Sequence, residues 1–285
     1  MAPEASSAAG RGPRGDLGLG GRHVLLPRGS LTFSGPRELL VNRTIAGAYE
    51  TDGSLAPDTV RRVSGGAFTL DSVPRRLASQ EVVRVYEEEA VWGGPLATPE
   101  RRYQTPYGHF MVESVARLWP VLPDAELHGL PVVFVRPQRP PHAAEWLDAF
   151  GAPLVDLPEG GAVLFKRLFV PEPAWQEAAW IAPEVRDIHL HARRGMDVPR
   201  VSRRGVLWLS RSGLAPTRIP LGEDRLESSL DGRLSAVRPY TMTLAEQVAA
   251  LEGASAVAGV VGSAFHTLLL TAETPDCLYL CPPWD

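Results

Sequence analysis

The stretch Val257–Thr271, VAGVVGSAFHTLLLT, decides the fold. Its first part is a short, unbroken run of small apolar residues. Ala256–Val261 therefore reads as a buried strand, of the kind covered on both faces in a parallel sheet. Gly262–Ser263 makes a tight turn, and a helix opens near Ala264. The first turn of such a helix carries free backbone N–H groups and the positive end of its dipole, so it favours phosphate or another anion. Gly262 permits close backbone approach, and Ser263 adds a hydroxyl that can cap the helix or touch a ligand. Many strand–turn–helix units of this kind bind nothing, so the neighbouring sequence must decide.

Upstream of it, from Gly205, strands and helices alternate. Val206–Leu209 is a strand ending in Ser210-Arg211-Ser212, followed by a helix over Glu223–Leu230 and a strand over Leu234–Arg238. Thr243–Leu251 is a helix in which Thr243 and Glu246 form a capping box. After Ala256–Val261 and the Ala264–Thr271 helix, Cys277–Cys281 closes the pattern as a last strand. Four strands and three helices in alternation describe a nucleotide-binding half, in which ligands lie beyond the carboxyl ends of the strands. Arg211 and Ser263 both follow such ends and can converge on one crevice.

A second informative stretch is Tyr107–Leu122, YGHFMVESVARLWPVL. Pro106 suits a helix start, where its missing N–H costs nothing. Met111, Val115, Leu118 and Leu122 recur at helical spacing and face a core. His109, Glu113 and Arg117 fall four apart on a second stripe, and Pro120 ends or kinks the helix. The plain reading of that stripe is a solvated face with a Glu113–Arg117 pair. The chemical reading is a histidine at the helix start with a carboxylate one turn away.

Between these stretches, Pro131–Arg136 reads as a strand, Pro141–Phe150 as a helix, and Leu154–Leu157 and Val163–Val170 as strands, which implies a second parallel sheet. Val82–Tyr86 is a further strand, and Ala90–Leu96 continues a β region past a Gly-Gly turn. Pro171–Trp180 resembles a linker, and Glu184–Arg194 a helix whose His189 and His191 point to different sides. Residues 1–22 are an Ala, Gly, Ser and Arg tail expected to be disordered. The domains are then 23–175 and 176–285.

Composition removes several functions. The formal net charge of −4 provides no basic field for nucleic acid or an anionic membrane. Lys166 is the only lysine, leaving 28 arginines among the 29 basic residues, so no Gly-rich loop ends in Lys-Ser or Lys-Thr and a P-loop is excluded. No apolar run reaches the roughly 18 residues of a spanning helix. The start of the chain has no basic-then-apolar signal pattern, and a cytoplasmic protein is expected. Cys277 and Cys281 on one strand stand about 13 Å apart, too far for a disulfide and too few for a zinc site.

Taken together, YGHFMVESVARLWPVL, VLWLSRSGLAPTRIPLGED (Val206–Asp224) and TLAEQVAALEGASAVAGVVGSAFHTLLL (Thr243–Leu270) resemble glycosyltransferase family 61 in order and spacing, over roughly Arg102 to Pro275. Within the family, the resemblance is to a bacterial capsular-polysaccharide-type glycosyltransferase. Two departures stand out: Gly262-Ser263-Ala264-Phe265-His266 replaces a His-Gly pair in the last turn, and Gly222-Glu223 replaces an Asn-Glu. The resemblance implies an α/β, GT-B-like architecture with two Rossmann-like domains facing across a cleft. It implies an inverting transfer from a nucleotide sugar, UDP- or GDP-linked, to a polysaccharide or small-molecule hydroxyl, with no cofactor and no bound metal. The absence of an Asp-x-Asp triplet agrees with that.

Such a displacement needs a base for the acceptor hydroxyl and a cradle for the departing phosphate. His109 is expected to be the base, oriented by or exchanging roles with Glu113, so that both are the expected catalytic residues. Arg211, Arg218, Gly262, Ser263 and His266 are the expected donor and phosphate contacts, with Glu223 a further candidate. Two other functions compete. A dinucleotide-dependent dehydrogenase lacks its Gly-x-Gly-x-x-Gly here. A non-catalytic nucleotide- or sugar-binding relative would keep the fold without turnover.

Overall fold

The computed structural model describes residues 24–43, 45, 47–60, 73–78, 81–95, 107–135, 141–176, 180–202, 204–214, 222–229, 232 and 234–280. The tail 1–22, Pro106, Arg218 and Cys281 lie outside them.

Thirteen strands form three sheets among these residues. The first six-stranded sheet uses β2 (Phe33–Val41), β3 (Ala48–Tyr49), β4 (Val82–Pro95), β5 (Val132–Val135), β6 (Leu154–Val155) and β7 (Ala162–Pro171), in the order β3-β2-β7-β4-β5-β6. The strands β7, β4, β5 and β6 are parallel, as expected from the sequence. β2 and β3 add an antiparallel edge, so this sheet is mixed rather than parallel. The expected Gly-Gly turn is a bulge inside β4. Trp92 pairs with Val133 and Gly94 with Phe134, while Gly93 is left over. A side chain at Gly93 would meet the Phe134 ring at 2.5 Å.

The expected linker holds two short strands, β8 (Trp175–Gln176) and β9 (Trp180–Ile181), which join β1 (Val24–Leu25) in a small sheet. The third sheet is wholly parallel. It contains β10 (Arg204–Leu209), β11 (Leu234–Val237), β12 (Ala254–Val260) and β13 (Asp276–Leu280), in the order β11-β10-β12-β13. The chain moves to one side of β10 to form β11, then crosses to the other side for β12 and β13. The point of reversal lies between β10 and β12. In an open α/β sheet the ligand crevice forms outside the carboxyl ends there.

Helices form a layer shared by the two large sheets. The segment after Pro106 begins with a single turn, α1 (Tyr107–His109). α2 (Pro141–Phe150), α3 (Glu184–Gly195) and α5 (Leu244–Glu252) join it, and α4 (Glu223–Ser229) covers Trp208. One core cluster takes Val91 and Phe169 from the mixed sheet, Phe110, Met111, Trp146 and Ile188 from the helical layer, and Leu244, Val248 and Leu270 from beside the parallel sheet. α5 carries the expected capping box: Thr243 Oγ1 accepts from Glu246 N at 3.2 Å, and Glu246 Oε2 accepts from Thr243 N at 2.8 Å. Glu145 of α2 takes the next two orphan donors, Leu244 N and Ala245 N, both at 2.8 Å.

Two expected helices are not regular. After Tyr107–His109 the chain makes a π turn over Phe110–Ser114 and then a 3-10 turn over Trp119–Val121. The segment after β12 is a 3-10 helix, Ser263–Leu270, rather than an α-helix from Ala264. Its last carbonyls are satisfied from outside, since Arg186 of α3 donates to Leu268 O and Leu269 O at 2.7 Å each and to Thr271 O. Among the described residues, no helix is long and apolar enough to cross a membrane.

Candidate functional site at the carboxyl edge of the parallel sheet

The site is assembled from two directions. The parallel sheet presents the ends of β10 and β12, and α1 with its π turn approaches them from the helical layer.

At the sheet edge, Arg211 follows β10 and Gly262 follows β12. The Arg211 guanidinium lies across the corner, with Nη2 donating to Val261 O at 2.6 Å and Val260 O at 3.3 Å. A Cβ on Gly262 would stand 1.9 Å from that Nη2. Gly262 has φ 167°, extended backbone open to any residue, so it is the arginine and not the dihedral that requires glycine here. Below the corner, the buried carboxylate of Glu223 accepts the backbone N–H of Arg211 at 3.0 Å through Oε1. Its Oε2 is buried with no hydrogen-bond partner among the described residues. Ser263 opens the 3-10 helix, and among the described residues no side chain caps that end.

Across from this corner stands His109. Its Nδ1 lies 2.5 Å from Glu113 Oε1. A carboxylate only accepts, so Nδ1 carries a proton, and in the neutral form of the ring the lone pair is on Nε2. The pair is asymmetric in exposure: the histidine side chain is 41% exposed and the glutamate 9%. Glu113 is thus a fixed, desolvated acceptor, while the imidazole reaches solvent. Arg117, the third member of the expected stripe, turns away. It is buried and donates to Pro171 O and, at 2.9 Å, to Asp58 O.

Gly108 joins the two parts. A Cβ there would come within 2.8 Å of His266 Nδ1 and 3.0 Å of Ser263 Cβ. The backbone beside His109 therefore packs directly on the turn that follows β12. His266 Nδ1 is buried without a hydrogen-bond partner among the described residues. Burial lowers the His266 pKa, and a proton on His109 would lower it further, so this ring is neutral near pH 7. A hydrogen-bonded chain reinforces the contact. Tyr107 Oη donates to Thr267 Oγ1 at 2.7 Å, and Thr267 donates to Gln247 Oε1 at 3.2 Å. Gln247 Nε2 continues to Pro239 O at 2.9 Å.

The π turn is held from behind. His189 Nε2 donates to Met111 O at 2.6 Å, and its Nδ1 accepts from Trp146 Nε1 at 3.1 Å. Burial pushes the His189 pKa down to about 3, fixing a neutral ring with one defined tautomer. Trp146 also stacks on Phe150, with ring centroids 5.0 Å apart.

The structure thus brings His109, Glu113, Ser263 and His266 together, and separately joins Arg211, Gly262 and Glu223 at the same turn. The family model described as Glycosyltransferase 61 matches residues 107–278, three-fifths of the chain. The chain belongs to glycosyltransferase family 61. The matched span contains both parts of the site and all three stretches that carried the resemblance. As a family 61 glycosyltransferase, the protein works on a sugar donor and an acceptor. No curated protein matches the chain.

Sequence reasoning missed Gly108, Tyr107, Thr267, Gln247 and His189 as parts of the site. Gly108 was legible only as the residue before the histidine. Its importance comes from a ring 158 positions later in the chain, and no local pattern encodes that.

Proposed function

We propose that the protein is an inverting, metal-independent glycosyltransferase of GT-B type, with lobes divided near residue 175. It moves a sugar from a UDP- or GDP-linked donor to a hydroxyl of a polysaccharide or small molecule in the cytoplasm. The observation that carries this reading is the contact at Gly108, which sets the His109–Glu113 pair beside the turn after β12.

In the proposed step, the acceptor oxygen attacks the anomeric carbon. Its proton passes to His109 Nε2 as the new C–O bond forms, and the bond from carbon to the phosphate oxygen breaks. Glu113 holds the imidazole in the tautomer that can accept a proton and stabilises the imidazolium that results, as in other carboxylate–histidine pairs. Negative charge grows on the leaving diphosphate. The guanidinium of Arg211 and the N–H groups of Gly262 and Ser263 would receive it, and Arg218 would add a second cation. A neutral His266 supplies a hydrogen-bonding ring beside them without repelling an incoming proton. Glu223 acts on Arg211 through its backbone rather than on the donor.

A nucleotide panel tests the reading. UDP or GDP at about 100 times its dissociation constant stabilises the protein by roughly 2.7 kcal/mol, and one nucleotide sugar of a donor set is turned over. Stabilisation by NAD alone overturns the reading in favour of a dehydrogenase. Binding with no turnover, even of donor hydrolysis, assigns the chain to a non-catalytic relative.

A further inference from the structure

We propose that the exposed ring of Tyr240, with Arg238 beside it, is the platform on which the nucleoside of the donor lies. This rests on the reading above, in which the diphosphate sits at the ends of β10 and β12. The sugar must then reach His109, on the Ser263 side of that corner. The nucleoside has to leave in the other direction, along the carboxyl edge from β10 toward β11. Neighbouring strands stand about 4.8 Å apart, so the end of β11 lies roughly 10 Å from the end of β12, a span that the diphosphate and ribose together bridge.

Tyr240 occupies the turn Pro239–Thr241, immediately after β11. It is 47% exposed, and a single exposed aromatic is ordinary on a protein surface. Its fixation is what distinguishes it. Tyr240 Oη donates to Ser212 O at 2.8 Å. Gly213 fits against that hydroxyl: at φ 93° it has left-handed backbone, and a Cβ there would lie 2.2 Å from Oη. The polar tip is thus spent on the backbone, and the ring is held at the surface, about half exposed. Exposed Arg238 donates through Nε to Ser212 Oγ at 3.0 Å, which in turn lies 2.7 Å from Ser210 Oγ. Ser212 directly follows Arg211, so the proposed phosphate contact and the proposed base platform share one loop. Pro239 O receives Gln247, the end of the chain that starts at Tyr107. The platform and the His109 segment are therefore fixed to each other as well.

Stacking on an aromatic tolerates any base, so the platform takes a pyrimidine or purine nucleoside diphosphate. Calorimetric titration with UDP, GDP and inorganic pyrophosphate tests this. Wild type is expected to bind one of the nucleotides more tightly than pyrophosphate. Tyr240→Ala is expected to weaken that nucleotide roughly tenfold to a hundredfold and to leave pyrophosphate unchanged. Tyr240→Phe keeps most of the affinity, Gly213→Ala weakens it in parallel with Tyr240→Ala, and Arg211→Ala weakens both ligands. An unchanged nucleotide affinity in Tyr240→Ala, with loss in Arg211→Ala, overturns the platform and leaves the transferase reading standing. Wild type binding none of the three ligands overturns both.

Discussion

The two parts of the site are built by opposite means. At the carboxyl edge of the parallel sheet, topology does the placing. The strand order β11-β10-β12-β13 forces the chain to diverge between β10 and β12, and whatever follows those strands lines the crevice. Arg211 and Gly262 are there because of where their strands end. The His109 segment has no such guarantee. A turn of α-helix and a π turn hold it through buried polar contacts, His189 to Met111 O and Tyr107 to Thr267. π turns often accompany functional sites because they re-aim the side chains around them. The first part should tolerate substitution of its surroundings, and the second should fail when a distant support is removed.

The largest expected effect is at the chemistry. His109→Ala is expected to lower the transfer rate by about 10²- to 10⁴-fold while leaving nucleotide affinity near wild type, read by steady-state kinetics and titration. Near-normal turnover removes the base assignment. Arg211→Ala comes next, at about 2–4 kcal/mol of transition-state stabilisation, seen in kcat/KM together with weaker nucleotide binding. If only the fold were to weaken, Arg211 would be a strut for the Val260 and Val261 carbonyls and no more.

The comparison sharpens at His189, far from any ligand. His189→Phe strands Met111 O and the Trp146 N–H in the core and should cost about 2–3 kcal/mol in urea unfolding. The support is also pH-dependent. The His189 pKa falls from 6.5 to about 3 on folding. Below pH 6.5 the unfolded chain therefore binds a proton that the folded chain refuses. The contribution is full above pH 6.5 and lost as the pH falls toward 3. Wild type should lose stability more steeply across that window than His189→Phe, and equal slopes would show that the ring protonates freely in the fold. The smallest effect belongs to Gly262→Ala. Its backbone is extended, and the obstructing atom is the movable end of Arg211, so stability should change by less than about 0.5 kcal/mol. Nucleotide affinity should still drop several-fold as the guanidinium is displaced. Loss of stability without loss of affinity would place the arginine's work in the fold.

How much of this was legible follows the same division. β10, β11 and β12 were readable because each is a short, largely apolar run closed within two residues by Ser, Arg or Gly, β13 because it is a short, largely apolar run before Pro282, and α5 because Thr243 and Glu246 mark its start locally. β2 was missed because Gly35 and Pro36 interrupt its pattern. The strand absorbs them in a register shift, with Gly35 at φ 110° packed against Leu168 O. The Ser263–Leu270 helix was read with the wrong pitch because its apolar residues fit either period. Its end is fixed by Arg186, more than 80 residues earlier. The π turn is likewise settled by His189, 78 residues after Met111. Local pattern located the candidate groups, and partners distant in sequence determine how those groups are held.

The most direct test is to follow the histidine ring resonances by NMR while the best-binding nucleoside diphosphate is added. The account predicts that His109 and His266 shift together, and that His191, which faces Phe150 O on the far side of α3, does not. Saturation with nucleotide and no movement at His109 would contradict a single site shared by the two parts.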